Sequence, residues 1–335
     1  MPGIHEVARR AGVSAATVSR ALSGRGSVSP TTRERVVAAA RELGYVVSSS
    51  ASGLATGRTR NVGVVIPFLN RWFFSAVVEG AESALLERGY DLTLYNLGGS
   101  DEERRLVFEH FLLRKRVDAV IAVSLELTPA EVKRLIDLDK PLVGVGGPLP
   151  GVRTLSLDDI ELGRLATEHL LALGHTDIAH IGGDALDMDF HLPTNRRHGY
   201  EQAMQAAGLA PLDRHFHAAD FTIPGGYRAA KQLLGNPSGR PTAIFAASDE
   251  MAIGAILAAK DLGMHVPGDV SIIGIDDHDL AEFFGLTTIA QFPDMQGRMA
   301  VDVLMEELHP GESEQDELNI DLPYELVVRS STARR

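Results

Sequence analysis

Apolar residues at Ile4, Val7, Ala8 and Ala11 follow the i, i+3, i+4, i+7 spacing of a helix with one buried face. Gly12 ends that run at a position that can take φ > 0. Ser14 then offers a capping hydroxyl to a second helix. Val18 and Leu22 face inward there, leaving Ala15, Ala16, Thr17, Ser19 and Arg20 near the exposed face. A third helix opens at Ser29-Pro30, a cap followed by a first-turn proline. It runs through Val36, Val37, Ala40 and Leu43 and stops at Gly44. Two short amphipathic helices joined by a tight turn are the layout of a helix-turn-helix, which lays its second helix in the DNA major groove.

From residue 62 the pattern changes to short apolar runs alternating with amphipathic helices. Strands are predicted at Val62–Ile66, Asp91–Tyr95, Ala119–Val123 and Leu142–Val145, with helices over Ser75–Arg88, Glu102–Lys115 and Pro129–Leu138. The cycle repeats with strands at Ile178–Ile181, Ala243–Ala246 and Ser271–Ile275. Its helices fall near Leu162–Leu173, Arg196–Ala207, Gly225–Leu234 and Met251–Leu262. Such alternation implies parallel doubly wound sheets, and two sets imply two lobes with a cleft beyond the strand C-termini. Between head and body, residues 45–57 read YVVSSSASGLATG, a poor autonomous helix that is equally a flexible linker by composition.

A chain of 335 residues is too long for one ordinary core. It has no cysteine, which excludes disulfides, thiolate metal sites and thiol catalysis and suits a reducing cytoplasm. No apolar run approaches the roughly 18–20 residues of a membrane span, and residues 1–25 lack the apolar core of a signal peptide. The net charge of −13 argues at first against nucleic acid, but its distribution reverses that. Residues 1–60 hold nine Arg against three Glu, a net of +6, which leaves −19 on the remainder. A basic head on an acidic body is the asymmetry expected when only the head meets phosphate.

The strings IHEVARRAGVSAATVSRAL and VSPTTRERVVAAARELGY resemble the DNA-binding head of the lactose-repressor (LacI/GalR) family of bacterial transcriptional regulators. The resemblance is dense over residues 3–58 and continues more loosely to the end of the chain. It implies an all-α helix-turn-helix head at 1–46, a hinge at 47–60, and an α/β periplasmic-binding-protein-like body of two doubly wound parallel-sheet lobes. The N-terminal lobe would take 61–159 and 291–321, and the C-terminal lobe 160–290 and 322–335. Three crossovers would fall near Leu157–Leu162, Thr288–Pro293 and Asp321–Pro323.

By the same resemblance, Ala15, Ala16 and Arg20 occupy base-reading positions. Arg20 can donate two hydrogen bonds to guanine O6 and N7, whereas Ala15 and Ala16 offer only methyl contacts. Thr17 and Ser19 suit phosphate contacts, which position without specifying, and Ser14 joins them at the helix start. Leu54 matches a hinge leucine that wedges into the minor groove. The family usually has Asn and Arg where this chain has Ser48 and Ser52, so further polar hinge contacts do not carry over.

For the cleft, Phe68, Trp72, Phe73 and Phe74 follow the first predicted strand, beside Asn70 and Arg71. An aromatic cluster belongs as readily to a core, but a loop after a parallel strand opens toward the cleft. Phe73 and Phe74 are its effector-binding candidates. The family pattern adds Arg196, three residues before Gly199, and Asp276 in IIGIDD. It also adds Asp158, five residues before Gly163, Phe221 in ADFTIPGGY, and Ser248 in ASDEMA, where the family often has Asn.

His215-Phe216-His217 and the trio Asp184, Asp187 and Asp189 give no complete metal-ligand set. No GxSxG, P-loop or HExxH is present. Neither metal, cofactor nor enzymatic activity is therefore expected. The expected partners are a pseudo-palindromic double-stranded DNA operator, a small effector of sugar type and a second copy of the chain, with no membrane. The expected function is transcriptional regulation, as a repressor, in the cytoplasm at the nucleoid. A solute-binding protein or a sugar-acting enzyme without DNA function is the alternative, opposed by the basic head and the lack of a legible nucleophile or acid–base pair.

Overall fold

The structure is a computed structural model that describes residues 2–23, 27–45, 58–98, 100–112, 116–125, 127–147, 149–183, 192–309 and 317–335. The chain divides into two compact units, Met1–Asn61 and Val62–Arg335. Leu54 and the rest of the segment 46–57 lie outside the described residues.

The first unit is built from α1 (Ile4–Ala11), α2 (Ala15–Ser23) and α3 (Pro30–Glu42). Gly12 takes φ +66° and turns the chain between α1 and α2. Ser14 Oγ accepts from Thr17 N at 3.2 Å, and Ser29 Oγ accepts from Thr32 N at 3.3 Å, so both caps act as the sequence suggests. Val7, Ala8, Ala11, Val18, Ala21, Val36, Ala39 and Ala40 form the core, with Ile4, Leu22 and Leu43 half-buried against it. Val37 departs from the expected inward run. The turn of α3 brings Val36, Ala39 and Ala40 inward and leaves Val37 41% exposed.

The second unit begins with β1 (Asn61–Ile66), α4 (Trp72–Glu87), β2 (Asp91–Asn96), α5 (Asp101–Leu106), β3 (Ala119–Val123), α6 (Pro129–Ile136), β4 (Leu142–Val145) and β5 (Arg153–Ser156). It continues with α7 (Asp159–Ala172), β6 (Ile178–Gly182), α8 (Leu192–Ala206), β7 (Phe216–Ala218), α9 (Ile223–Gly235), β8 (Ala243–Ala246), α10 (Asp249–Asp261) and β9 (Ser271–Asp276). It closes with β10 (Thr287–Ala290), α11 (Pro293–Leu308), β11 (Asn319–Asp321) and β12 (Glu325–Val327).

These strands form two six-stranded sheets, in the orders β11-β5-β4-β3-β1-β2 and β12-β10-β9-β8-β6-β7. The β1–β3, β3–β4, β4–β5 and β5–β11 pairs are parallel, as are β6–β7, β6–β8, β8–β9 and β9–β10, while β12 runs antiparallel to β10. The chain passes from one sheet to the other after β5, after β10 and after β11. Each sheet is covered on both faces, and the alternation within strands shows why. Val62, Val64 and Ile66 enter one core with Ala119, Ile121 and Val123, whereas Val65, Val120 and Ala122 enter the opposite one. Burying each such valine or isoleucine side chain stabilises the fold by roughly 1.5–3 kcal/mol.

The predicted helix Glu102–Lys115 is shorter and irregular. α5 passes into a wider π turn at Val107–Phe111, and Val107, Phe108 and Leu112 are buried in the core beneath the sheet. Strands β5, β7 and β10 carry Arg, Thr, Ser and His side chains that break the apolar runs by which the other strands are legible. β10 is buried throughout because its hydroxyls find partners: Thr288 Oγ1 donates to Asp249 Oδ1 at 2.7 Å, and Thr287 Oγ1 accepts from Arg329 N at 3.0 Å.

Candidate functional site

On α2 of the first unit, Ser14, Ala16, Ser19 and Arg20 are exposed, and Ala15 and Thr17 are half-buried. Ala15 packs on the core, which leaves part of its methyl unavailable for a base. Arg20 is exposed, with Nε donating to Ala16 O at 3.2 Å along its own helix. A guanidinium held against its helix is positioned by that bond rather than swung freely.

In the second unit, a cavity of about 270 Å³ is lined by residues from both sheets' connections. The β1–α4 connection and first turn of α4 supply Phe68, Arg71, Trp72, Phe73 and Phe74, and the end of β3 supplies Ser124. From the other lobe come Leu192 and Arg196 of α8, Asp220 and Phe221 after β7, Ser248 and Glu250 at the start of α10, and Asp276 at the end of β9. Gln291 enters from the crossover between β10 and α11. Most lie just beyond the C-terminal ends of parallel strands, the place where doubly wound sheets bind ligands. Ser124 (φ +43°), Phe221 (φ +54°) and Asp276 (φ +137°) all take left-handed backbone conformations there. Such strain in non-glycine residues costs of order 1–3 kcal/mol each and collects at functional sites.

Arg196 is 2% exposed. Its Nε donates to Asp159 Oδ1 at 2.8 Å and a terminal nitrogen donates to the carbonyl of Ala247. Burial raises the Asp159 carboxyl above the usual carboxylate range, and the Arg196 charge opposes that rise. The pair is possible because α7 and α8 pack backbone to backbone. A methyl on Gly199 would stand 2.0 Å from Ile160 O, and one on Gly163 would stand 2.1 Å from Arg196 O.

Asp276 accepts from Gln291 Nε2 through Oδ1 and from Asp249 N at 3.4 Å through Oδ2. Burial pushes its carboxyl up to about 7, against the pull of Arg196 and of these hydrogen bonds. Asp249 behind it accepts from Thr288 Oγ1 and, at 2.9 Å, from His278 N, and is raised by its own burial and by the Asp276 charge. Ser248 Oγ accepts from Met251 N at 3.3 Å and so caps α10. At the rim, Trp72 Nε1 donates to Asp279 Oδ2 at 2.9 Å and its ring stacks on His278.

Of the expected effector-binding residues, Phe73, Phe74, Arg196, Phe221, Ser248 and Asp276 line this one cavity. Asp158 does not. It is exposed, and its Oδ1 caps α7 by accepting from Ile160 N at 3.0 Å and Glu161 N at 3.1 Å. Its neighbour Asp159 is the carboxylate that reaches the site, through Arg196. Ser124, Leu192, Asp220, Glu250 and Gln291 were not anticipated. Ser124 and Gln291 each stand one residue past a strand, and Asp220 and Glu250 flank anticipated residues closely. Gln291 was out of reach without β10.

Among the described residues no group of three His, Asp or Glu could hold a metal ion, and no helix is long and apolar enough to cross a membrane. His215 pairs with Asp177 at 3.3 Å and His217 with Gln232 at 3.0 Å. Asp184, Asp187 and Asp189 lie outside the described residues.

Residues 3–48 match the bacterial regulatory proteins of the lacI family, and residues 167–332 match a periplasmic binding protein-like domain. The ribose operon repressor of Escherichia coli (strain K12) is 36% identical over 325 residues, 96% of this chain and 97% of that protein. The HTH-type transcriptional repressor PurR of Vibrio campbellii (strain ATCC BAA-1116) is 34% identical, covering 100% of this chain and 99% of that protein. The chain belongs to the lacI family of bacterial regulatory proteins. The crystal structure of the lac repressor dimer bound to operator and the anti-inducer ONPF superposes with a TM-score of 0.86 at 28% identity, over 99% of each chain. This lacI-family member is therefore a DNA-binding transcriptional regulator and not an enzyme, with a helix-turn-helix head and a two-lobed α/β body.

Proposed function

We propose that the regulator is a homodimeric repressor of a pseudo-palindromic operator, released or engaged by a sugar or sugar derivative held in the interlobe cavity. The observation that carries this reading is the cavity itself: Phe73 and Phe74 come from one lobe, and Arg196, Phe221, Ser248 and Asp276 from the other. An occupant touching both lobes binds their alternative arrangements unequally, which is the requirement for shifting an equilibrium. Aromatic faces suit the apolar faces of a sugar ring, and buried carboxylates suit its hydroxyls. The ribose operon repressor lends the sugar class support by its name.

Ser14, Thr17 and Ser19 would hold phosphates, Ala15 and Ala16 would offer methyl contacts, and Arg20 would read guanine. Leu54 would wedge into the minor groove from the hinge at 47–60, between a head at 1–46 and lobes at 61–159 with 291–321 and at 160–290 with 322–335. The protein would act at the nucleoid. A mobility-shift titration tests this, using palindromic fragments from upstream of its own and neighbouring genes, with and without sugars. A salt-sensitive, sequence-dependent shift that an added sugar alters is expected; binding indifferent to sequence would sink the reading.

A further inference from the structure

Phosphate and carboxylate ligands are held by free cations or by helix N-termini with unsatisfied N–H groups, and here Arg196 and several helix-start N–H groups are already engaged. Among the described lining residues the cations are Arg71 and Arg196. Arg196 is neutralised by buried Asp159 and tied to the Ala247 carbonyl. Arg71 stands 5.4 Å over the Phe68 ring, and its charge opposes the rise that burial gives the Glu250 carboxyl. Against these two stand three acids in the lining itself, Asp220, Glu250 and Asp276.

Some of the helix-start N–H groups are engaged as well. The Trp72 backbone at the start of α4 also opposes the rise that burial gives the Glu250 carboxyl. At α10, Asp249 N goes to Asp276 and Met251 N to Ser248. At α9, Gly225 N goes to Thr222 Oγ1 at 2.9 Å.

We infer that the effector is an uncharged polyhydroxyl compound of about one sugar ring, and that the cavity rejects phosphorylated and carboxylate-bearing ligands. The inference rests on the cavity being the effector site. Asp220 and Asp276 already accept from Thr222, Gln291 and Asp249 N, but a carboxylate has about four lone-pair sites, which leaves room for the several hydroxyl donors that a sugar brings on a compact frame. A phosphate ester would set up to two negative charges beside the buried Asp276 and the half-buried Glu250. The volume of about 270 Å³ falls just below the roughly 300–1,000 Å³ usual for small-molecule pockets.

The test uses the full chain and matched ligands. D-ribose, D-glucose, D-galactose and D-fructose are compared with ribose 5-phosphate, glucose 6-phosphate, glucuronate and the nucleobase hypoxanthine, by thermal shift and then calorimetry. At least one neutral sugar should bind, with its phosphate or uronate at least tenfold weaker. In Glu250→Gln that ratio should shrink, and an unchanged ratio would overturn the electrostatic basis. A charged derivative or hypoxanthine binding more tightly than every neutral sugar would overturn the inference while leaving the effector site standing. Silence across the whole panel would remove the sugar reading and this inference together.

Discussion

Trp72 and Asp279 join the two lobes across the cleft: the indole Nε1 donates to Asp279 Oδ2 at 2.9 Å. The same ring stacks on His278, with centroids 4.7 Å apart and planes 30° apart. His278 Nδ1 accepts from Leu280 N at 2.9 Å, so the neutral ring carries its proton on Nε2. Burial lowers the His278 pKa, with the Asp279 charge opposing, which keeps the stacked ring neutral at ordinary pH.

Trp72 is the chain's single tryptophan, so its emission reports lobe separation directly. Removing the acceptor in Asp279→Ala should cost about 1 kcal/mol of closure, since the bond lies at the exposed rim. The variant should show red-shifted emission and stronger acrylamide quenching. A spectrum identical to that of the parent protein would mean that this contact does not hold the lobes together.

Arg196→Ala should destabilise the body by about 3–5 kcal/mol, because it leaves Asp159 buried without its counter-charge. Urea unfolding followed by circular dichroism measures this. Pairing it with Asp159→Leu should recover much of the loss, since the cost comes from the orphaned carboxylate rather than from the missing arginine. Failure of the double variant to recover stability would show that Arg196 acts mainly through its bond to the Ala247 carbonyl. Arg196→Lys should not substitute, because a single ammonium cannot serve both partners in the guanidinium geometry.

The fold was legible wherever a strand was apolar on both faces, as in Val62–Ile66 and Ala119–Val123. It was not legible at Thr287–Ala290, where buried threonines rely on Asp249, Arg329 and Thr332, all distant in sequence. The site divides in the same way. Arg196 and Asp276 stand in recognisable local strings, but what they do depends on Asp159 and Gln291, which no local pattern ties to them. Asp158 shows the opposite failure. A carboxylate placed before a helix serves as a cap as naturally as it serves a ligand, and here it is the cap.

The pH dependence of stability should carry two opposed contributions. The Asp249–Asp276 pair is raised, with Asp276 at about 7, so the native state keeps a proton that the unfolded chain has released above about pH 4. Stability from this source is present at low pH and is lost as pH rises towards 7. His180 acts in the other direction. Burial lowers it to about 3, so stability is lost as pH falls below the unfolded value of about 6.5. Asp276→Asn removes the Asp276 share of the first contribution, while Asp249 stays raised by its own burial and His180 is untouched. Between pH 5.5 and 8 the parent should lose about 2 kcal/mol relative to this variant. Thermal or urea unfolding at both pH values decides the matter, and a pH-independent difference would refute the assignment.

Arg20 is the one side chain among the candidate base readers that can distinguish a base by hydrogen bonding. Ala16 offers only a methyl, and Ala15 is partly committed to the core of the head. Arg20→Ala should therefore relax discrimination at one base pair by about 1–3 kcal/mol. Binding to random DNA should fall much less, because the remaining arginines of residues 1–60 still provide attraction to phosphate. A mobility-shift series over single-base operator variants, at fixed salt, separates the two effects. Equal losses on operator and random DNA would make Arg20 a phosphate contact, and recognition would then rest on DNA shape and deformability.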